Sequence, residues 1–199
     1  GKPVDLCELA AGSGSLSRDA DDHGVSHMPP VDYRCGLHMG RIKDQIPILF
    51  AFLVFGCETL FESPTCTPWG SNARIWEQDR RRTTRARETS SLHFMTLLCF
   101  LQLVLGRSYA VENPWGSDLY TDSPFALLEA CGLDFQNNQF EQCAYGATID
   151  GLPSRKGTNM ASERDLPELR SAVLRTISMG NFGERTRQAP EQRSQQFIP

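Results

Sequence analysis

Glu62-Ser63-Pro64-Thr65-Cys66-Thr67-Pro68-Trp69-Gly70 follows an apolar run ending in Cys57-Glu58-Thr59-Leu60-Phe61. That run reads as a strand, and the Ser-Pro step ends it, because proline has no N–H to give a ladder. A strand that stops there presents Cys66 on the loop beyond, which is one way to aim a thiol nucleophile into a cleft. A loop with an incidental cysteine fits the same residues. The flanking sequence has to decide.

Upstream, Ile42 to Phe55 has helical character, with Lys43 and Asp44 near its start and Gly56 after its end. Pro47 is tolerated only in a first turn, so the helix is allowed a later start than Ile42. His27 to Cys35 is compatible with a second strand, interrupted by Pro29-Pro30, with Asp32 near its end. An acid at that point is where doubly wound folds hold ribose hydroxyls, and an ordinary exposed aspartate is the alternative. Val4 to Leu9 is a short apolar run that leads into Glu8-Leu9-Ala10-Ala11-Gly12-Ser13-Gly14-Ser15. Strand, glycine turn and a helix from about Leu16 is the expected course. Small residues there let backbone approach a ligand, and the helix start offers free N–H groups. A lone Gly-x-Gly is also simply a turn. It lacks the third glycine of a dinucleotide fingerprint and the Gly-Lys-Ser/Thr of a P-loop.

Downstream, Trp69 to Ile75 is a possible helix start. Glu77 to Ser91 is polar and carries Arg80, Arg81, Arg82, Arg85 and Arg87, the strong basic cluster of the chain. A solvated helix, a flexible loop or lid, and a phosphate-contacting segment all fit it. Leu92 to Leu105 has helical spacing, and Gly106 and Arg107 end it. Ser108-Tyr109-Ala110-Val111 reads as a strand leading into Glu112-Asn113-Pro114-Trp115-Gly116-Ser117. A carboxylate at a strand end, followed by proline and glycine, again suggests a loop at the carboxyl edge of a sheet. Ser123 to Ala130 is expected as a short helix capped by Ser123 with Pro124 at its first position. Leu133 to Tyr145 has strand character, Gly146 to Arg155 is turn-rich, and Leu166 to Met179 puts Leu169, Val173, Leu174 and Ile177 on one helical face. The low apolar content of 180–199 predicts a disordered polar tail.

The 199 residues suit one domain with a core, here drawn as 1–179, and the 40% hydrophobic and 22% charged content is that of a soluble globular chain. A net charge of −4 exerts no general pull on nucleic acid or membrane, so any nucleic-acid contact needs a local basic patch. The seven cysteines are odd in number and scattered, and none pairs with another or with a histidine at zinc spacing. Reduced thiols in an intracellular protein are expected, with no disulfide framework and no metal. The run Ile46 to Cys57 is too short to cross a membrane, and Leu92 to Gly106 carries His93 and Gln102, so no membrane segment is expected. Gly1-Lys2-Pro3 is not a signal peptide, and without an initiator Met the chain is compatible with a piece of a longer one.

Strands alternating with helices argue for a mostly parallel sheet covered on both faces. In order, the strand-end loops resemble the cytosine-C5 DNA methyltransferases. Glu8 to Ser15 is similar to that family's Asp-Leu-Phe-x-Gly-x-Gly turn. Ser63-Pro64-Thr65-Cys66 is similar to its Ser-Pro-Pro-Cys nucleophile motif, and Glu112-Asn113-Pro114 matches its Glu-Asn-Val at two places of three. Gly151-Leu152-Pro153-Ser154-Arg155-Lys156-Gly157-Thr158 is comparable to its Gln-x-Arg-x-Arg region. The gaps agree as well, 54 residues from Gly12 to Cys66 and 46 from Cys66 to Glu112. More narrowly, Ser-Pro-x-Cys-Thr-Pro-Trp, Gly-Arg-x-x-x-x-Glu-Asn-Pro and Gln-Cys-x-Tyr-Gly resemble methyltransferase-like segments of retroelement-type polyproteins.

The resemblance implies a doubly wound, Rossmann-like α/β fold that binds S-adenosylmethionine and methylates cytosine C5 in DNA through a cysteine adduct. It implies Cys66 as the nucleophile, Glu112 as the acid at the ring N3, and Arg155 and Lys156 as electrostatic supports. It implies a cofactor site of Glu8, Ala11, Gly12, Ser13, Gly14, Asp32 and Pro64. Arg80, Arg81, Arg82, Arg85 and Arg87 would contact DNA phosphates, and a nuclear location would follow in a eukaryote. Departures are Thr65 and Thr67 beside the cysteine, Pro114 for valine, and Thr158 for the last arginine. No recognition region of the usual size follows Thr158. These favour a second reading: an inactive methyltransferase-like fragment of a mobile-element polyprotein with a binding or scaffolding role.

Overall fold

The computed structural model describes residues 2–131, 136–141, 148–149, 152–153 and 157–162. Arg155 and Lys156, the expected helix from Leu166 to Met179 and the expected tail 180–199 lie outside the described residues.

Strand β1 (Val4–Leu9) turns through Gly12 and Gly14 into helix α1 (Ser15–Asp22). Gly14 has φ +67°, and a Cβ there would also press on the Pro30 ring at 3.3 Å. Two separate demands, backbone hand and close approach, therefore fall on one glycine.

The expected second strand forms only as two parallel bridges, Leu6 to His27 and Leu9 to Val31. Pro29 and Pro30 lie between them and have no N–H to donate, so no continuous ladder is possible. The chain then makes a 3-10 turn at Tyr33–Cys35 instead of continuing extended.

Helix α2 covers Ile42–Phe55 with Pro47 inside it. The later start that Pro47 allowed is not taken. Core contacts of Ile48 and Phe52, both buried, hold the helix across the missing hydrogen bond.

Strand β2 (Cys57–Glu62) runs into the Cys66 loop and a 3-10 turn at Ser71–Ile75. Helix α3 then runs unbroken from Gln78–Val104. The segment 77–91, expected as a basic loop or lid, is thus the first half of a 27-residue helix. Its second half is buried through Leu92, Phe94, Met95, Leu98 and Cys99, and that packing gives the polar half a folded end to propagate from. Gln102 fastens the far end, donating from Nε2 to Ser108 O at 2.9 Å and Cys57 O at 3.1 Å, the first residues of two neighbouring strands.

Strand β3 (Ser108–Pro114) extends past the expected Val111 to include Glu112 and Asn113. The expected helix from Ser123 is two short ones, α4 (Leu119–Asp122) and α5 (Ala126–Ala130). Ser123 lies between them, donating to Leu119 O and accepting from Phe125 N. Strands β4 (Gln136–Glu141), β5 (Thr148–Ile149), β6 (Leu152–Pro153) and β7 (Gly157–Ser162) follow.

The main sheet has the order β1-β2-β3-β7-β4. Strands β1, β2 and β3 are parallel, while β7 is antiparallel to both its neighbours. Strands β5 and β6 form a separate two-stranded ribbon.

Two apolar cores lie on opposite faces of the sheet. One joins Cys7, Leu9, Leu60, Tyr109 and Val111 to α2, α3 and α5. The other joins Leu6, Phe61, Ala110 and Met160 to Leu16 and Ala20 of α1. A parallel run with helices on both faces is a doubly wound, Rossmann-like α/β fold. Its carboxyl edge gathers the ends of β1, β2 and β3. Among the described residues no helix is long and apolar enough to cross a membrane, and no cluster of metal-ligating side chains occurs.

Candidate active site

A cavity of about 730 Å³ opens at that carboxyl edge. The end of β1 supplies Glu8 and the turn 10–15, the segment after the bridges supplies Asp32 to Met39, the loop after β2 supplies Ser63 to Thr67, and β3 supplies Glu112 and Pro114. Its volume suits a nucleoside-sized ligand with room to spare.

The glycine turn is braced from below. Asp32 is buried, its Oδ2 accepts from Gly12 N at 3.0 Å, and its Oδ1 accepts from Arg34 N at 2.9 Å. Both oxygens therefore already serve backbone amides, and the first task of Asp32 is to hold the turn. Gly12, at φ +56°, has open space where a Cβ would stand, so the turn presents bare backbone to the cavity. Glu8 is buried at the end of β1. Its Oε2 accepts from Ser17 N at 2.9 Å and from Ser17 Oγ, which ties the strand to α1. Burial raises the Glu8 carboxyl, and the Ser17 hydrogen bonds oppose the rise.

The cysteine loop is braced from the side. Ser63 N donates to Leu9 O at 3.2 Å, and Ser63 Oγ donates to Glu112 Oε2 at 2.9 Å. Asn113 Nδ2 donates to Pro64 O at 3.0 Å, while Asn113 Oδ1 accepts from Ser117 Oγ at 2.7 Å. Consecutive residues of β3 thus grip consecutive residues of the loop. Cys66 is half-buried, and its carbonyl accepts from Trp69 N at 3.1 Å and Gly70 N at 2.7 Å, closing a tight turn. A Cβ at Gly70 would stand 3.2 Å from that carbonyl, so the turn wants a small residue there.

Cys66, Glu112, Glu8, Ala11, Gly12, Ser13, Asp32 and Pro64 all line the one cavity, whereas Gly14, packed toward the Pro30 ring, does not. The basic cluster stands elsewhere. None of Arg80, Arg81, Arg82, Arg85 and Arg87 lines the cavity. Arg80 stacks over Trp76 at 4.5 Å, and Arg85 over Trp69 at 4.6 Å. Arg85 also donates to Pro68 O at 2.9 Å, to Asp122 at 3.2 Å and to Asp118 at 2.5 Å. Its guanidinium is thus engaged by two carboxylates, a carbonyl and a ring. Arg81 is half-buried, while Arg82 and Arg87 are exposed. Burial raises the Asp118 carboxyl, but hydrogen bonds from Arg74 and Arg85 outweigh it and hold the group below its usual range.

Sequence reasoning overlooked Ser63 and Asn113 as braces, although Asn113 sits inside the Glu-Asn-Pro phrase. It also overlooked His38, Glu88, Ser91, Leu92 and Met95, which line the far wall. Nothing local marks those five. They meet only because the 37–40 loop lies on α3, where Ser90 Oγ donates to Gly40 O at 3.1 Å.

Fold and site together define a Rossmann-like α/β domain with a ligand cavity at its strand ends. No protein-family model matches the sequence, and no curated protein matches it. Among solved structures, the Dnmt2 methyltransferase of S. pombe aligns at 11% identity and a TM-score of 0.46, over 81% of this chain and 49% of that one. The Entamoeba histolytica methyltransferase EhMeth aligns at 16% identity and 0.48, over 84% and 55%. A Spodoptera frugiperda DNMT2 variant aligns at 14% identity and 0.45, over 83% and 51%. The chain spans about half the length of these structures.

Proposed function

We propose that this domain transfers a methyl group from S-adenosylmethionine to C5 of a cytosine in DNA, with Cys66 as nucleophile. The observation that carries the reading is the thiol of Cys66 and the carboxylate of Glu112 lining one cavity with the bare Gly12 turn. The ordered motifs and their spacing support it independently.

The cavity fits the cofactor by its chemistry. Glu8, Asp32, Glu88 and Glu112 line it against Arg34 and His38, an acid excess that suits a ligand bearing sulfonium and ammonium charge. Gly12 and its neighbours would take the amino-acid end, where a side chain would stand in the way. Asp32 would offer remaining lone pairs to a ribose hydroxyl while still holding the turn. S-adenosylmethionine supplies an electrophilic methyl on sulfur.

The protein's own residues make cytosine able to accept it. The ring carbon C5 is a poor nucleophile. Addition of the Cys66 thiolate at C6 forms a C–S bond, and Glu112 delivers a proton to N3 as the electrons shift, leaving an enamine nucleophilic at C5. C5 would take the methyl as its bond to sulfur breaks and the thioether S-adenosylhomocysteine leaves; water then removes the C5 proton, the Cys66 thiolate leaves C6, and N3 returns its proton to Glu112, restoring the aromatic ring. Ser63 holds Glu112 in place, and Asn113 holds the loop that carries the thiol. The target base has to leave its stack to reach Cys66.

Calorimetry with S-adenosylmethionine tests the first half, with saturable binding expected. Trapping with a 5-fluorocytosine oligonucleotide tests the second, because fluorine at C5 blocks the elimination. A covalent adduct in the native chain that is lost in Cys66→Ser is expected. Adduct formation that persists in Cys66→Ser removes Cys66 from the role. Absence of both binding and adduct leaves the binding or scaffolding fragment, which Thr65 and Thr67 beside the cysteine favour.

A further inference from the structure

We propose that Arg85 is a positioning residue for the Cys66 loop, locking the turn after the thiol in its working shape before any substrate arrives. The inference rests on Cys66 being the reactive thiol, and it takes one arginine out of the basic cluster altogether.

Arg85 lies on α3, yet its side chain's partners lie on the loop, at Asp118 just before α4, and at Asp122 within α4. Its Nε donates to Pro68 O at 2.9 Å, two residues after Cys66. Its guanidinium covers the Trp69 ring at 4.6 Å, and Trp69 is only 2% exposed. Its two end nitrogens reach Asp118 and Asp122. Asp118 closes the circuit, since its own N–H donates to Trp69 O at 2.8 Å and its carboxylate also takes Arg74 at 2.9 Å. The peptide from Pro68 to Trp69 is thus held by its carbonyls from two elements and by its ring from a third contact. Cys66 is bound to the same turn through its carbonyl.

A guanidinium is suited to this because its planar fork can face a carboxylate pair and stack on an aromatic at once. The Arg85 side chain is 17% exposed, so solvent competes little for it. An arginine serving DNA phosphates would need that fork free. Holding the loop costs the thiol mobility, and the return is a fixed distance from Cys66 to the Glu112 wall.

The test uses the full chain and iodoacetamide, with alkylation followed peptide by peptide. Cys35 and Cys131, both exposed, serve as references within the same molecule. In Arg85→Ala the Cys66 rate should rise about tenfold relative to Cys35, while fluorocytosine adduct formation falls about tenfold, as expected for a mispositioned nucleophile. Arg85→Lys keeps the charge but loses the fork and should fall between the two. Asp122→Asn removes only the most exposed partner and should stay near the native ratio. A native Cys66-to-Cys35 ratio in folded Arg85→Ala and Arg85→Lys overturns the proposal. Loss of the fold in Arg85→Lys overturns it too, because the contact would then be a general support. Alkylation needs neither cofactor nor DNA. A native chain that forms no adduct yet shows the altered ratios sinks the methyl-transfer reading alone, and adduct with unaltered ratios sinks only this one.

Discussion

Glu62 ends β2 and Glu112 stands two residues before the end of the neighbouring parallel strand β3, and they differ in the face of the sheet they enter. Glu62 pairs in register with Val111, so Glu112, one residue further, points to the opposite side. Glu62 enters the core beneath α3, fully buried, where the Cys99 thiol donates to its Oε2 at 3.3 Å and Oε1 has no hydrogen-bond partner. Glu112 enters the cavity and takes the Ser63 hydroxyl. The same residue type, one step apart, becomes a sealed core group in one place and a wall of the site in the other. Burial pushes the Glu62 carboxyl well up, against the Cys99 hydrogen bond, and the same burial pushes the Cys99 thiol up. A strand end near a site is therefore not evidence that its acid does chemistry; the face decides.

The comparison breaks most decisively on activity. Glu112→Gln should slow fluorocytosine adduct formation by about 100-fold or more, the scale of a lost general acid, while Glu62→Gln should leave it near native. Equal loss in both variants would remove the distinction.

Stability sharpens the contrast next. Burial favours the protonated form of Glu62 in the folded chain, whereas the unfolded chain releases that proton around the ordinary value of 4.5. Its contribution is fully present below that pH and is lost as the pH rises toward the folded-state value. Urea midpoints of the native chain should decline as the pH rises above about 5, with a slope of up to about 1.4 kcal/mol per pH unit from this group. Glu62→Gln should flatten the decline and stand above the native chain at pH 8. Glu8, also raised, titrates in the same direction and should leave a smaller residual slope. An unchanged profile in Glu62→Gln would mean that Glu62 ionises without penalty and is not sealed beneath α3.

The smallest effect belongs to the braces. Ser63→Ala removes one hydroxyl from Glu112 and should cost about 1 kcal/mol of stability, read as a lower melting temperature. Asn113→Ala frees Pro64 O and leaves the Ser117 hydroxyl without its acceptor, with only the Leu119 N–H still bonded to it, so it should cost more than Ser63→Ala. Should Ser63→Ala melt lower than Asn113→Ala, the loop is held mainly through Glu112.

Much of the frame was legible along the chain. The runs 4–9, 42–55 and 108–111 have periods that commit them to strand, helix and strand, and the structure keeps each, with β3 extended by three residues. The second strand was read as interrupted by Pro29-Pro30, and only a bridge on either side of them forms, since the pair removes two donors in succession. The basic half of α3 was legible only as one of several readings, a solvated helix beside a loop or lid. None of its residues is fully buried, and it is helical because it continues a buried segment. The site was legible in its strand-end residues, each carried by a turn with proline or glycine. Its far wall was not, because Glu88, Ser91 and Met95 reach the cavity by helix packing rather than by any local signal.

What the sequence determined by itself was the alternation of strands and helices, the turns that end them, and the placing of Cys66 beyond one strand and Glu112 near the end of another. Local backbone chemistry suffices for that, because proline, glycine and hydrophobic period act over a few residues. Tertiary structure alone decided which of two neighbouring glutamates faces the cavity. It also decided which of five arginines is spent on Asp118 and Trp69 and which acids meet along one wall. Those outcomes depend on the register of parallel strands and on where α3 crosses them, and both are set by contacts between residues far apart in the chain.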